Sequence, residues 1–287
     1  MLHFTKYHGL GNDYLVIEPD QFDGLPTVEQ IQRICDRHYG AGSDGILLGP
    51  LPSETADFGL RIFNPDGSEA EKSGNGLRIF SRYLWDTGRL QMAAETPGGP
   101  ASQPFTVQTP GGKVRSQVFE NGASVTVEMG QASFDSRVIP VLGPQREVVG
   151  ERMTLGGQDL LYCAVSMGNP HCVVVCEQVS EELARRLGPL VENEPRFPRR
   201  TNVQFLQVLD RQRLRIEIWE RGAGYTLASG SSSCAAAAAA RRLGLCDDRL
   251  AVHNPGGVIQ VSIAPDWNIT MRGPVEKVYD GTSETLC

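Results

Sequence analysis

Two serines in this chain stand beside glycines where helices are expected to begin, and such positions can bind an anion. Ser73 lies in EKSGNG and Ser229 lies in LASGSSSC, and each segment runs on into an apolar stretch. The first backbone N–H groups of a helix have no partner within the helix, and the positive end of the helix dipole lies there. Carboxylates and phosphates therefore bind at helix starts, and glycine lets the ligand approach the backbone closely.

The chemistry that suits two such starts is proton transfer at a carbon next to a carboxylate. One group would remove the α-proton while the other returns a proton to the opposite face. A carboxylate held at the helix starts would also spread and stabilise the carbanion charge. Serine is among the best N-cap residues, so capping alone accounts for either serine taken singly. The presence of two similar starts favours a functional site.

The two starts belong to an internal repeat. Ser73 and Ser229 are 156 residues apart (229 − 73 = 156), and GNDYLVIE at Gly11 precedes GNPHCVVVCE at Gly168 by 157 (168 − 11 = 157). The other matches are Asn64 with Glu220, Ile46 with Val203, and the PGG segments that begin at Pro110 and Pro255. Five matches in the same order along the chain indicate a duplicated unit.

The segments between these landmarks predict an α+β fold. VSMGNPHCVVV, RLRIEIWE and VRSQVFENGASVTVEM contain β-branched runs or alternate every second residue, as strands do. VEQIQRICDRHYG and SEELARRLG have the spacing of amphipathic helices, and each is expected to end at its last glycine. We predict two homologous, pseudo-symmetric lobes of mostly antiparallel sheet around a central helix each, with the active site in the cleft between them. The predicted lobes are residues 1–130 and 131–274, and the tail 275–287 is a candidate to return to the first lobe.

Composition restricts the class of protein. The net charge of −7 argues against nucleic acid as a partner. No stretch approaches the roughly 18 apolar residues of a membrane span, and the N-terminal segment lacks the pattern of a secretory signal. Seven cysteines without regular spacing indicate reduced thiols in a cytoplasm. Cys172 and Cys176 lie in the apolar run CVVVC, which predicts buried thiols and no metal site.

The chain resembles the diaminopimelate epimerase family over nearly its whole length. The resemblance rests on KYHGLGNDYLVIE, NPDGSEAEKSGNGLRIF, VSMGNPHCVVV, RTNVQF, ERGAGYTLASGSSSCAAA, NPGG and MRGP. It implies a homodimer that interconverts L,L- and meso-diaminopimelate, a precursor of lysine and peptidoglycan, without pyridoxal phosphate. The family uses a cysteine pair, one thiolate and one thiol, and these cysteines fall at positions 73 and 229 of this sequence.

The resemblance also implies which residues act, and it implies neither a cofactor nor a metal. The catalytic residues would be Ser73, Ser229, His171 and Glu220. The substrate-binding residues would be Asn12, Asn64, Gly74, Asn75, Asn169, Asn202, Glu220, Arg221, Gly230 and Ser231. Pyridoxal phosphate is disfavoured for a separate reason, since only four lysines could form its Schiff base: Lys6, Lys72, Lys113 and Lys277.

The serines at positions 73 and 229 depart from the family pattern where the chemistry is done. A serine hydroxyl is a far weaker acid than a thiol and needs a base beside it. Two explanations stay open: a double Cys→Ser replacement that keeps the fold, or a divergent relative with altered or lost chemistry. Tyr225, which stands where the family often has Glu, favours the second. The alternatives to an epimerase are another amino-acid isomerase or dehydratase, and a silent amino-acid-binding protein.

Overall fold

The computed structural model describes residues 1–94 and 99–284, and the chain divides into two compact units. The first unit is Met1–Val127 with the segment from Arg272 onward, and the second is Glu128–Met271. The strands are β1 Leu2–Gly9, β2 Asn12–Ile17, β3 Ile46–Leu51, β4 Phe58–Phe63, β5 Glu69–Ala70, β6 Phe105–Thr109, β7 Gly112–Phe119, β8 Ser124–Gln131, β9 Glu151–Leu155, β10 Gln158–Ser166, β11 Pro170–Cys176, β12 Asn202–Asp210, β13 Arg213–Glu220, β14 Gly224–Thr226, β15 Arg249–Asn254, β16 Gly257–Ile263, β17 Asn268–Pro274 and β18 Glu276–Ser283. The helices are α1 Val28–Cys35, α2 Gly74–Asp86, α3 Glu181–Glu192 and α4 Gly230–Arg242, with 3-10 turns at Pro19–Gln21 and Glu120–Gly122.

The two units repeat one order of elements and one set of strand pairings. From β1 to β8 the order is ββαβββαβββ, and it recurs from β10 to β17. In the first unit β1 pairs with β18 and β2, β3 with β2 and β4, and β6 with β4 and β7. In the second unit β10 pairs with β9 and β11, β12 with β11 and β13, and β15 with β13 and β16. The parallel pairs are the equivalent ones, β2–β3 and β4–β6 against β11–β12 and β13–β15. The predicted class, α+β with pseudo-symmetric and mostly antiparallel lobes, is confirmed.

Each unit curls its sheet around one buried helix. Helix α2 packs against β1, β2 and β3 and also against β7, which lies further along the same sheet, and α4 packs against β10 to β13 and against β15 and β16. The six alanines at 235–240 are wholly buried. A helix that is apolar on all sides must be enclosed, and alanine lets the surrounding strands come close.

The outer helices begin as predicted and end elsewhere. Thr27 and Gln30 form a capping box at the start of α1. We expected this helix to run to Gly40, but it ends at Cys35, because the side chain of Asp36 accepts from the backbone N–H groups of His38 and Tyr39. Such a side-chain turn competes with the helix.

Helix α3 was expected to end at Gly188, and it continues to Glu192. A Cβ at Gly188 would lie 2.5 Å from Cγ of Trp219, so glycine is needed here for close packing and not as a helix stop. Pro189 then lies inside the helix, where a proline is normally disfavoured. Burial of Val191 beyond it, in the core of the second unit, favours the extra turn.

Candidate active site

Both serines cap the central helices in the same way. Ser73 has extended backbone angles, and its Oγ accepts from the backbone N–H of Gly76 at 3.0 Å. Ser229 repeats this geometry, and its Oγ accepts from the backbone N–H of Ser232 at 3.4 Å. Both hydroxyl oxygens therefore carry one N–H donor at the positive end of a helix, where a negative charge on oxygen is stabilised.

In the first unit, a series of hydrogen bonds between side chains holds the residues beside Ser73 in place. Asn75, buried in the first turn of α2, donates from Nδ2 to Oδ1 of Asn12 at 3.0 Å. Its own Oδ1 accepts from the buried guanidinium of Arg78 at 2.5 Å. Asn12 follows Gly11, whose positive φ of 88° closes the tight turn between β1 and β2. Asn12, Gly74 and Asn75 thus come together at this helix start.

Tyr14 is a polar neighbour of Ser73 that sequence reasoning missed. Its hydroxyl lies 3.4 Å from Oγ of Ser73, and either oxygen can donate. A Cβ at Gly45 would lie 2.7 Å from the Tyr14 ring, so this glycine allows the ring its position. The tyrosine stands in the quoted motif GNDYLVIE, but strand alternation alone does not indicate which neighbour its hydroxyl reaches.

Asp44 is a second residue that the sequence analysis missed. Its carboxylate accepts from Nδ2 of Asn12 at 2.9 Å and from Arg37 at 2.7 Å. Arg37 also binds Asp13 at 2.7 Å, and Lys6 binds Asp13 at the same distance. Burial raises the pKa of Asp13, but the hydrogen bonds from Arg37 and Lys6 outweigh it and lower the pKa to about 2. The network connects these charges to the amide of Asn12.

Asn64 is held apart from these contacts. It follows β4, and its Nδ2 donates to the hydroxyl of Ser68 at 3.0 Å within a turn. It is half-buried. Within the described part of the chain, no hydrogen bond joins it to Ser73, so its predicted role in binding stays a prediction.

In the second unit, one asparagine joins the ends of two strands. Asn202 donates from Nδ2 to the carbonyl of Pro170 at 2.9 Å and accepts from the backbone N–H of Arg221 at 3.0 Å. The guanidinium of Arg221 donates to the carbonyl of Arg199 at 3.1 Å and is exposed. Glu220 is half-buried and accepts from the hydroxyl of Thr226 at 3.4 Å. Asn202, Glu220 and Arg221 therefore lie together.

His171 is fully buried beside the turn that holds Asn169. Its Nε2 lies 2.8 Å from Oδ1 of Asn169, and no acceptor or donor in the described residues pairs with its Nδ1. Burial lowers the pKa of His171 to about 3, and the positive charge of Arg221 adds to this shift. The imidazole is therefore neutral at physiological pH, which limits the chemistry it can do.

Two more of the predicted binding residues follow Ser229 in the chain, while the side chain of Tyr225 contacts a different helix. Gly230 and Ser231 occupy the first turn of α4. Tyr225 donates to Glu217 at 2.7 Å, and the guanidinium of Arg185 covers its ring at 4.5 Å. The side chain of Tyr225 thus contacts the outer helix α3, and this packing explains a tyrosine at position 225.

The cysteines offer no substitute for a catalytic thiol in the described part of the chain. None of the six described cysteines forms a disulfide with another described residue, and Cys234, in α4, is buried. Burial raises the pKa of Cys172 well above its usual value, so this thiol stays protonated. Within residues 1–94 and 99–284 no group of three or more acidic, histidine or cysteine side chains is placed to bind a metal ion. No described helix has the length and apolar character of a membrane span.

The sequence of this chain matches the diaminopimelate epimerase family. The sequence profile of the family described as Diaminopimelate epimerase matches residues 4–135 and 163–278. Diaminopimelate epimerase 2 of Nostoc sp. strain PCC 7120 is 55% identical over 284 residues, which cover 99% of this chain and 96% of that protein. Diaminopimelate epimerase of Pelotomaculum thermopropionicum is 40% identical over 290 residues and covers 98% of both.

One solved structure shows how widely the fold is shared. A crystal structure of a probable proline racemase from Agrobacterium radiobacter K84 matches with a TM-score of 0.73 at 15% identity. The match covers 99% of this chain and 93% of that one. At this identity the likeness concerns the fold alone.

We predict that Asp13→Asn reduces the loss of unfolding free energy that the protein shows as the pH falls. The folded protein lowers the pKa of Asp13 from 3.8 to about 2, so its ionised form contributes stability above pH 4 that is lost as the pH falls towards 2. Between pH 5 and pH 2 the original protein should lose about 2 kcal/mol more unfolding free energy than the variant, measured by urea titration. Asp23→Asn, in an exposed loop, is the control and should keep the original slope. Equal slopes for the original protein and Asp13→Asn would contradict the assignment.

Proposed function

Because the chain belongs to the diaminopimelate epimerase family, we propose that it interconverts L,L- and meso-diaminopimelate by moving the proton on one α-carbon without pyridoxal phosphate. The observation that carries the proposal is the match over 99% of the chain, joined to two serine-capped helix starts of the same geometry. A reaction that inverts a carbon needs one proton-transfer group on each face of that carbon. The proposal assigns Ser73 to one face and Ser229 to the other.

The reacting carboxylate is assigned to the helix starts. Gly74 and Asn75 present backbone N–H groups in the first turn of α2, and Gly230 and Ser231 do so in α4. The capping bonds use the N–H groups of Gly76 and Ser232, and the proposal assigns the N–H groups that precede them in each helix to the carboxylate. As the proton leaves Cα, charge spreads onto this carboxylate, and donors fixed in advance stabilise it more than water does.

The other end of the substrate is assigned to polar residues that the structure holds in place. Asn202 and Arg221 share a hydrogen bond, and the exposed guanidinium of Arg221 suits a bidentate grip on a carboxylate. Asn64 completes the assignment from the family resemblance. Recognition of a second amino-acid end distinguishes diaminopimelate from amino acids with a single carboxylate.

The serine hydroxyls need help, because an alcohol is a much weaker acid than a thiol. Each Oγ already accepts one backbone N–H at a helix start, which favours the alkoxide. Ser73 has the hydroxyl of Tyr14 beside it at 3.4 Å, and a phenol is far more acidic than serine. Glu220 is the titratable group that the proposal assigns to the second unit, with His171 available only as a neutral imidazole.

We expect Ser73→Cys/Ser229→Cys to accelerate exchange of the α-proton by 100-fold or more, on the order of one general acid–base contribution. The reason is that a thiol at a helix start titrates near neutral pH and a serine does not. The measurement is incorporation of solvent deuterium at Cα of L,L- and meso-diaminopimelate, followed by NMR.

The matched control is Thr27→Cys/Ser180→Cys. These residues cap the outer helices α1 and α3 with the same bonds, so the control adds two N-cap thiols away from the assigned residues. It should exchange at the original rate. Exchange in the original protein makes it a working epimerase, and exchange only after Ser73→Cys/Ser229→Cys makes it a diaminopimelate site without its acids and bases. No exchange in either would contradict the proposal and favour an amino-acid-binding protein or an isomerase for another substrate.

Tyr14→Phe tests the helper assigned to Ser73. Removing the hydroxyl should slow deuterium incorporation at least tenfold in the original background. In the Ser73→Cys/Ser229→Cys background the loss should be under threefold, because the thiol no longer needs a phenol beside it. Tyr39→Phe, at an exposed tyrosine, is the control. Equal losses in both backgrounds would show that Tyr14 supports the fold and not the proton transfer.

The proposal extends to a homodimer in the cytoplasm. Strand β18, which pairs with β1, leaves Val278 and Tyr279 49% and 42% exposed, a surface that a second copy would cover. Sedimentation velocity at micromolar concentration should give a dimer, and Tyr279→Asp should shift it towards the monomer. Tyr39→Asp should remain dimeric. A monomer in the original protein would rule this part of the proposal out.

A further inference from the structure

The sheet of the second unit places two buried polar side chains side by side. Strands β11 and β12 are parallel, with His171 opposite Asn202 and Val173 opposite Gln204. Side chains alternate faces along a strand, so His171 and Gln204 lie on the same face as diagonal neighbours, a separation that long side chains can span. Both side chains are wholly buried. Helix α4 packs against both strands.

A row of contacts runs through these two residues. Nε2 of His171 lies 2.8 Å from Oδ1 of Asn169, and Nε2 of Gln204 lies 3.0 Å from the hydroxyl of Ser232. Between them, Nδ1 of His171 and Oε1 of Gln204 are both buried and have no partner among the described residues. A buried polar atom without a hydrogen-bond partner costs on the order of 1–3 kcal/mol.

A half turn of one amide removes both unpaired atoms. The oxygen and nitrogen of a glutamine amide have almost the same shape, so the turn changes no packing. It brings Nε2 of Gln204 towards Nδ1 of His171 and presents Oε1 to the hydroxyl of Ser232. One continuous chain of hydrogen bonds then joins the four residues: Ser232 donates to Gln204, Gln204 to His171, and His171 to Asn169.

We propose that Gln204 is a positioning residue, held by Ser232, that fixes His171 as the tautomer with its proton on Nε2. This tautomer donates to Oδ1 of Asn169 and thereby turns the Nδ2 group of Asn169 away from the ring. Nδ2 is then presented as a fixed hydrogen-bond donor for a substrate carboxylate or carbonyl oxygen. His171 acts in this row through Asn169 and does not itself take a proton from the substrate.

The assignment explains why a histidine is buried here at all. A neutral imidazole has one donor and one acceptor on opposite sides of its ring. An amide that donates to one ring nitrogen therefore leaves the proton on the other, and that proton fixes the orientation of a second amide. The lowered pKa of His171 agrees with this role, because a ring that stays neutral keeps a single donor. Only the use of Asn169 as a substrate donor rests on the proposed function.

The tautomer can be measured without any ligand. In protein labelled with 15N at histidine, two-bond 1H–15N correlation spectra distinguish a protonated ring nitrogen from an unprotonated one. The His171 signals are assigned by single replacement of the other four histidines, His3, His8, His38 and His253. We expect Nε2 protonated, Nδ1 unprotonated, and no titration between pH 5 and pH 9. A proton on Nδ1 would overturn the proposal.

Two substitutions change the row in opposite ways. Gln204→Glu places an acceptor without a donor next to Nδ1, so His171 should move its proton to Nδ1 or gain a second one. Gln204→Met fills the same space without hydrogen bonds, and it should raise the Kd for L,L-diaminopimelate about tenfold, the size of one lost hydrogen bond. Gln207→Met, in the same strand, is the matched control and should leave the Kd within twofold.

The outcomes separate this inference from the proposed function. If the original protein shows the expected tautomer but binds no diaminopimelate, the row stands and the substrate assignment fails. If it binds diaminopimelate and Gln204→Glu leaves the His171 tautomer unchanged, then Gln204 does not fix that tautomer, whatever the substrate is. A purely structural role for Gln204 would lower the melting temperature in Gln204→Glu without moving the tautomer, and that result too counts against the proposal.

Discussion

The start of a buried helix is the constraint on which each unit depends. Helices α2 and α4 are enclosed by their own sheets, and the first N–H groups of such a helix cannot be left without acceptors. Ser73 and Ser229 meet this need with one hydrogen bond each. The proposed function assigns the first-turn N–H groups that precede these capped positions to a substrate carboxylate. In that proposal the serine that caps each helix lies next to the donors that bind the substrate.

Enclosure also decides which nearby groups carry charge. Asp13 stays ionised because Lys6 and Arg37 hold it, and their hydrogen bonds outweigh the cost of burial. His171 has no such partner, so the same cost keeps its ring neutral. In the first unit, the side chain of Asn12 is hydrogen-bonded to a network of ion pairs. In the second unit, the side chain of Asn169 contacts a neutral histidine. The two units therefore share one order of helices and strands, and they differ in the charge of the side chains that contact these two asparagines.

The sequence carried enough information for the repeated plan, the helix starts and most residues beside them. Those features depend on local signals: a glycine turn before Asn12, a capping serine, an alternating strand. The features that were missed depend on contacts between distant segments. Gly188 has the sequence pattern of a helix end, but it is needed for the packing of Trp219. Tyr14 has the pattern of an ordinary strand residue, but its hydroxyl lies next to Ser73. The neutral state of His171 follows from its full burial, which no short motif encodes.

A residue at position 73 or 229 has two tasks, to cap a helix and, in the proposed reaction, to transfer a proton. Serine suits the first task and cysteine suits the second. A hydroxyl oxygen is a strong acceptor for the capping N–H, while sulfur is a weak one, so the helix start is served as well by serine or better. Proton transfer asks for the reverse, since the thiol is the more acidic group. The fold therefore does not oppose a change from cysteine to serine, and only the chemistry does. With serine at both positions, the proposed reaction needs a more acidic group nearby, and the hydroxyl of Tyr14 is the group that the proposal places beside Ser73.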